Sequence, residues 1–238
     1  MTPPVVLTVA GSDSGGAAGI AADLATFAAL GVHGAVAVTA VTAQSTLGVE
    51  RIVVLDVDDV IAQVRAVLDD LPVAVVKTGM LGSAAIARAL VDVLPPGLRL
   101  VVDPVLVATS GARLAPADLV TAYREVVLPR ATVATPNAEE AAVLGPPSCP
   151  VVVTEGGIDV LDGARFEVTR VQTRNDHGTG CTHSAALAAY LAHGRTLPDA
   201  ARLAQEFVAA RLRDSACWQL GRGRGPVSHL APPQPQEN

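Results

Sequence analysis

Lysine is almost missing from this chain. Lys77 stands alone among 17 basic residues, so arginine serves the solvated surface and the one ammonium group needs an explanation. There is no long basic run, and the formal net charge is -6 over 238 residues. A nucleic-acid partner is therefore not expected. Aromatic residues make up 3% of the chain, so the core has to be built from Ala, Val and Leu, whose small volumes suit close packing of helices on a sheet. Cysteine is scarce as well. Cys149, Cys181 and Cys217 show no C-x-x-C spacing, so neither a disulfide framework nor a zinc site is indicated, and a reducing cytoplasm is the expected compartment. Met1-Thr2-Pro3-Pro4 lacks a basic n-region, and Val5–Ala10 is too short for a signal peptide. From Leu24 to Val49 no Asp, Glu, Lys or Arg occurs, but Gly31, His33, Gly34 and Gln44 interrupt the run. It reads as a buried helix, turn and strand, and no membrane association is expected.

What is present is apolar: 50% of the residues are hydrophobic, enough for one compact domain over residues 1–230. Short β-branched runs recur at residues 5–9, 35–41, 73–76, 100–102, 132–134 and 151–153. Each is near-continuously apolar, as buried parallel strands are. Helical patterns lie between them at residues 17–30, 57–71, 83–94, 116–128 and 138–144, and two more follow at 183–192 and 197–214. The alternation implies an α/β fold, a doubly wound, mostly parallel sheet with helices on both faces. Residues 158–161 and 166–171, flanking Asp162-Gly163-Ala164-Arg165, predict an antiparallel hairpin at one edge. The Pro- and Gln-rich tail 231–238 is expected to be disordered.

In an open parallel sheet a ligand sits at the carboxyl ends of the strands. Here those ends carry small and polar residues. The last is the most informative: Asp176-His177-Gly178-Thr179-Gly180-Cys181-Thr182 runs into a helix read as starting near Thr182. A glycine-rich helix start is suited to phosphate, and a cysteine there can have a depressed pKa. Gly11 to Gly19 has neither the dinucleotide fingerprint nor the P-loop spacing, yet still forms a strand-to-helix turn with room for a ligand. Asp23 either faces the crevice or simply charges its helix favourably. Asp103 follows a strand, where a carboxylate suits Mg2+ held through water, or else forms an Asp-Pro turn. Asn137 and Glu140 fit a capping box, and the same placement could order a hydrated Mg2+. The Gln44 amide suits the edge of an aminopyrimidine, Met80 suits a flat ring or the core, and His177 reads as a structural donor or acceptor.

Several segments in order resemble the hydroxymethylpyrimidine and phosphomethylpyrimidine kinases of thiamine biosynthesis, in the ribokinase-like superfamily. They are residues 10–16, 39–44, 77–81, 102–105, 135–141, 177–182 and 223–227. The resemblance implies a ribokinase-like fold and ATP- and Mg2+-dependent phosphorylation of 4-amino-5-hydroxymethyl-2-methylpyrimidine, then of its monophosphate, by a homodimer. It places Gly11, Asp23, Gln44, Met80 and Val107 around the pyrimidine, and Gly178, Thr179, Gly180 and Cys181 around the transferring phosphoryl. Asp103, Asn137, Glu140, Thr154 and Gly156 fall to the nucleotide, with Asp103 and Glu140 steering Mg2+. Many ribokinase relatives carry an aspartate base where Cys181 stands, and a direct role for Cys181 is favoured over one that only shapes the pocket.

The chain departs from that family twice. A helix usual after Glu140 is missing, and Thr154-Glu155-Gly156-Gly157 replaces a lysine-bearing segment, so weaker ATP binding is expected. The competing readings are a pyridoxal kinase of the same superfamily, a pyrimidine-binding protein with little turnover, and, less favoured, a thiol hydrolase using Cys181 and His177.

Overall fold

The computed structural model describes residues 2–107 and 114–230; the tail 231–238 lies outside them. The first half contains β1 (Val5–Ala10), α1 (Gly19–Ala29), β2 (His33–Val38), β3 (Ala40–Ser45), β4 (Gly48–Val54), α2 (Val57–Asp70), β5 (Val73–Thr78) and α3 (Ala84–Val93). Then come β6 (Arg99–Val102), α4 (Ala117–Ala122), a π-helical turn (Tyr123–Val127), α5 (Leu128–Arg130), β7 (Val133–Ala134) and α6 (Ala138–Leu144). The chain continues with β8 (Val152–Glu155), β9 (Ile158–Leu161), β10 (Ala164–Glu167), α7 (Thr179–Ala192) and α8 (Leu197–Ser215).

Five parallel strands form the central sheet in the order β2-β1-β5-β6-β7. Successive side chains point to opposite faces, and both faces are covered. Leu7, Val9, Val76, Leu100 and Val102 pack with Ile61, Val64, Ile86, Leu90 and Tyr123 on one side. Val6, Val75, Val101 and Val133 pack with Phe27, Leu187 and the alanines of α7 and α8 on the other. That double burial is why the strands read as unbroken apolar runs. The strand order reverses between β1 and β5, and this switch point opens the crevice where Gly11 and Gly79 follow their strands.

Four expectations need correction. The strand expected over 35–41 is two. At Thr39 the chain turns out of the sheet: its N–H reaches the Ala10 carbonyl and its hydroxyl the Met80 carbonyl. β3 then pairs with β4 as a separate antiparallel ribbon. The helix expected over 116–128 opens into a π turn and ends at Arg130, because Pro129 brings no N–H to the ladder. β8 joins β7 only through bridges at Ala134–Val151 and Asn137–Thr154, and pairs instead with the β9–β10 hairpin, whose turn is only Asp162-Gly163. Finally, α7 starts at Thr179, three residues before the expected Thr182, so Gly180 and Cys181 belong to its first turn.

Candidate active site

After β1 the chain must turn sharply into α1, and Asp13 organises the turn. Its carboxylate accepts the N–H groups of Gly15, Ala17 and Ala18 at 2.7, 3.1 and 2.9 Å. Gly11 and Met80 meet closely: a Cβ on Gly11 would lie 2.6 Å from Met80 Cε and would displace the end of that flexible side chain. The methionine therefore rests on the Gly11 backbone and makes a flat apolar pad. Asp13 falls inside the 10–16 segment, but nothing local in the sequence marks it for its role in this turn.

The start of α7 leans on the same turn. Gly178 caps the helix with φ of 90°, and a Cβ on it would strike the Ala17 carbonyl oxygen. Only glycine meets both demands. The Thr179 N–H turns back to the Asp176 carbonyl, and the first intrahelical bond runs from Thr182 to Gly178. Helix geometry leaves the Gly180 and Cys181 amides without an intrahelical acceptor. The 223–227 segment clamps this turn from outside: Arg224 holds Asp176 by a two-pronged ion pair, and His177 pairs with Pro226 through bonds to Gly225 and Val227.

Asp103, at the end of β6, is 5% exposed and accepts the Ser184 hydroxyl of α7 at 3.0 Å. Burial raises its pKa, against the pull of Lys77 and of Ser184. The capping box is formed: Asn137 accepts the Glu140 N–H at 2.9 Å, and Glu140 accepts the Asn137 N–H at 3.1 Å. The other Glu140 oxygen takes the Leu106 N–H at 3.0 Å. Glu140 is therefore first of all a structural acceptor. Burial, then the charge of Asp103, push its pKa up to about 7 against those two N–H groups. Among the described residues no group of three or more His, Cys, Asp or Glu side chains could hold a metal ion unaided. Two carboxyls with raised pKa values do suit a cation carried in with phosphate oxygens, since its charge would relieve both.

One cavity of about 810 Å3 is lined by Gly11, Gln44, Met80 and Val107, by Asp103, Asn137, Glu140, Thr154 and Gly156, and by Gly178, Thr179, Gly180 and Cys181. Glu155 and Arg170 also line it. Arg170, which sequence reading passed over, stands over Gly156: a Cβ on that glycine would lie 3.7 Å from its Cζ. It lies in the irregular segment after β10, outside any helix or strand, where the sequence gives no signal.

Asp23 is the site residue the structure takes away from the cavity. It is fully buried, bound by both oxygens to Lys77 Nζ at 2.8 and 2.9 Å, and it accepts the Thr8 hydroxyl. This pair accounts for the lone lysine. Burial opposes the Lys77 charge, but Asp23, then Cys181 and Asp103, more than offset it and raise its pKa. Cys181, for which a direct role is favoured from the sequence, lies where that role would need it. It borders the cavity, but burial pushes its thiol up to about 12; Lys77 opposes this, while Asp103 and Asp23 add to it. That direction lends no support to a resident thiolate.

The sequence matches the family model described as phosphomethylpyrimidine kinase over residues 13–155 and 151–228. It is 43% identical to the hydroxymethylpyrimidine/phosphomethylpyrimidine kinase of Rhizobium meliloti (strain 1021) over 257 residues, covering 95% of this chain and 97% of that one. That alignment is longer than the chain itself, so the relative carries segments missing here, in keeping with the short connection after α6. Among solved structures, the ADP complex of Bacillus subtilis pyridoxal kinase superimposes with a TM-score of 0.85 at 33% identity, covering 96% of this chain and 98% of that one. The phosphomethylpyrimidine kinase of Clostridium difficile 630 does so with a TM-score of 0.72 at 31% identity, covering 87% and 98%. With a cavity that joins the apolar wall of Gly11, Met80 and Val107 to the glycine-rich start of α7, and with these matches along almost its whole length, the chain belongs to the phosphomethylpyrimidine kinase family.

Proposed function

We propose that the chain transfers the γ-phosphoryl group of ATP to the hydroxymethyl oxygen of 4-amino-5-hydroxymethyl-2-methylpyrimidine, and a second group to the resulting monophosphate. One observation carries this reading: a single cavity unites Gly11, Met80 and Gln44 with the first turn of α7 and with Asp103. The ring lies against Gly11 and Met80, with Gln44 at its edge and Val107 on the apolar wall. Residues Gly178 to Cys181 offer amide N–H groups to the migrating phosphoryl, the electrostatic stabilisation on which such transfers chiefly depend. Asn137, Thr154, Gly156 and Arg170 receive the nucleotide. Mg2+, when bound, neutralises phosphate charge, and Asp103 and Glu140 would hold it through water.

With its thiol raised to about 12, Cys181 contributes through its backbone amide, and the alcohol proton passes to a phosphoryl oxygen or water. A product assay with the hydroxymethylpyrimidine, ATP and Mg2+ tests this in the parent and in Cys181→Ala. The parent forms the monophosphate, and the variant keeps its rate within about tenfold, whereas loss of a working general base costs roughly 10²–10⁴-fold. A loss of that larger size would return proton abstraction to Cys181. A parent that forms no ATP-dependent product would end the proposed function. Glu155 on the cavity wall, where relatives are expected to carry lysine, should raise the ATP KM roughly tenfold, equivalent to about 1.4 kcal/mol. A KM as low as that of lysine-bearing relatives would contradict this.

Pyridoxal kinase activity is the second reading, favoured by the TM-score of 0.85 to the Bacillus subtilis enzyme. The paired donor and acceptor of Gln44 suit an aminopyrimidine better.

The reading also takes residues 1–230 as one kinase domain that works as a homodimer in the cytoplasm, where Cys149, Cys181 and Cys217 stay as the free thiols they are. No helix among the described residues is long and apolar enough to cross a membrane. The subunit contact falls on the β3–β4 ribbon, whose cross-strand pair Val41 and Val53 is 51% and 45% exposed. Val53→Glu should convert dimer to monomer in sedimentation. A dimer that survives the change would place the contact elsewhere, and a monomeric parent would remove it.

A further inference from the structure

The Gln44 amide has two ends of similar shape and opposite hydrogen-bonding sense, so its orientation has to be assigned from its neighbours. As placed, its Nε2 lies 2.9 Å from His177 Nε2, and its Oε1 lies 3.4 Å from Thr42 Oγ1. His177 Nε2 also lies 3.2 Å from Asp13 Oδ2. Asp13 is ionised: burial raises its pKa, but the His177 bond and the N–H groups of Gly15 and Ala18 outweigh burial and lower it. An ionised carboxylate only accepts, so the proton between the two side chains sits on His177 Nε2. An N–H there cannot also accept from an amide NH2. The Thr42 end leads to the same conclusion. The Thr42 hydroxyl gives its one proton to the Ser12 carbonyl at 2.9 Å, so toward Gln44 it has only lone pairs, and these call for an NH2 group. A half-turn of the amide about its last bond gives both contacts the right sense: Thr42 Oγ1 then accepts from the NH2 group, and the single His177 Nε2–H is shared between Asp13 Oδ2 and the Gln44 oxygen.

We infer that Asp13 and His177 lock the Gln44 amide with its oxygen toward His177 and its nitrogen toward Thr42, and thereby set which ring edge the cavity accepts. This rests on the proposed substrate class. A ring amine then donates to the amide oxygen on the His177 side, and the adjacent ring nitrogen accepts from the NH2 group on the Thr42 side. In the proposed substrate the hydroxymethyl is the ring neighbour of that amine. The amine and the hydroxymethyl are thus seated on the side of the cavity that His177 and Gly178 both line. The 4-oxo analogue, with a carbonyl at that ring position and N–H at the next, meets two mismatched pairs. His177 and Asp13 are positioning residues, acting through Gln44.

Two measurements test this. In the parent, kcat/KM should favour the 4-amino substrate over its 4-oxo analogue by roughly 100-fold or more, the size expected when buried polar groups are left mispaired. His177→Leu should shrink that ratio about tenfold by freeing the amide to turn, while His177→Gln, whose own Nε2–H can replace the imidazole's, should keep it. If His177→Leu slows both substrates equally and leaves the ratio intact, the inference is overturned. The second measurement is the ¹⁵N spectrum of the ligand-free parent chain, with His177 assigned by difference from His177→Gln. A protonated, pyrrole-type Nε2 supports the lock, and a pyridine-type Nε2 overturns it. The spectrum decides the hydrogen-bond sense even if the parent phosphorylates no pyrimidine, an outcome that would sink the proposed function instead.

Discussion

Gly178→Ala is expected to lower kcat about 100-fold or more and to melt the chain several degrees earlier. Two demands meet at this residue, a φ of 90° and a backbone approach so close that a Cβ would overlap the Ala17 carbonyl oxygen. The conformation alone costs on the order of 1–3 kcal/mol, or about 2–12 °C in a chain of this length. The overlap is the larger threat to function. It can be relieved only by moving the start of α7 away from the loop that follows β1, and those two turns line the same cavity. A shift near 1 Å in a group that positions reactants can cost about 10²-fold in rate. Gly194→Ala separates the two causes, because Gly194 has φ of 81° with nothing within 4 Å of its missing Cβ. That variant should lose stability and keep kcat. Equal kcat losses in both variants, or none in Gly178→Ala, would show that the approach of the two turns does not matter.

Lys77→Met is expected to cost about 3–5 kcal/mol, because it strips Asp23 of its partner inside the core. Both side chains are fully buried. At the size of this chain that corresponds to a fall in Tm of about 6–20 °C. The double variant Lys77→Met/Asp23→Leu should recover most of the loss, since no uncompensated charge remains. The deficit of the single variant depends on pH in a definite sense. Burial already raises the Asp23 carboxyl above its ordinary 3.8 while Lys77 pulls it down; removing Lys77 takes away that pull, raises it further, and leaves the extra proton on the folded state. Stability then falls as pH rises above about 4. Thermal melts at pH 5 and pH 8 should show the larger deficit at pH 8. Equal deficits, or a double variant no more stable than the single one, would mean that burial of an unpaired charge is not the cause.

The buried half of the fold was readable because burial on both faces leaves unbroken apolar runs, as at Val73–Val76 and Leu100–Val102. The β3–β4 ribbon was not. Its Val41, Ile52, Val53 and Val54 are all exposed by at least a third, so apolar residues that signal burial elsewhere mislead there. The start of α7 was read too late, because Gly178-Thr179-Gly180 looks like loop, and Gly180 is tolerated in a first turn set by the close fit of Gly178 against Ala17. Glycine-rich turns, the capping box and the strand-end carboxylate announced the cavity by residue type. Long-range pairing had no local signal: Asp23 is 54 residues from Lys77, and His177 is 164 from Asp13. Asp23 was thus assigned to the ring when it belongs to the core, and Asp13 was left without a role.

This cavity is expected to phosphorylate an aminopyrimidine alcohol in preference to a pyridine one. The most direct measurement supplies equal concentrations of 4-amino-5-hydroxymethyl-2-methylpyrimidine and pyridoxal to the parent chain with ATP and Mg2+, and quantifies both phosphorylated products. The pyrimidine monophosphate should predominate from the earliest time points. Preferential formation of pyridoxal phosphate would contradict it.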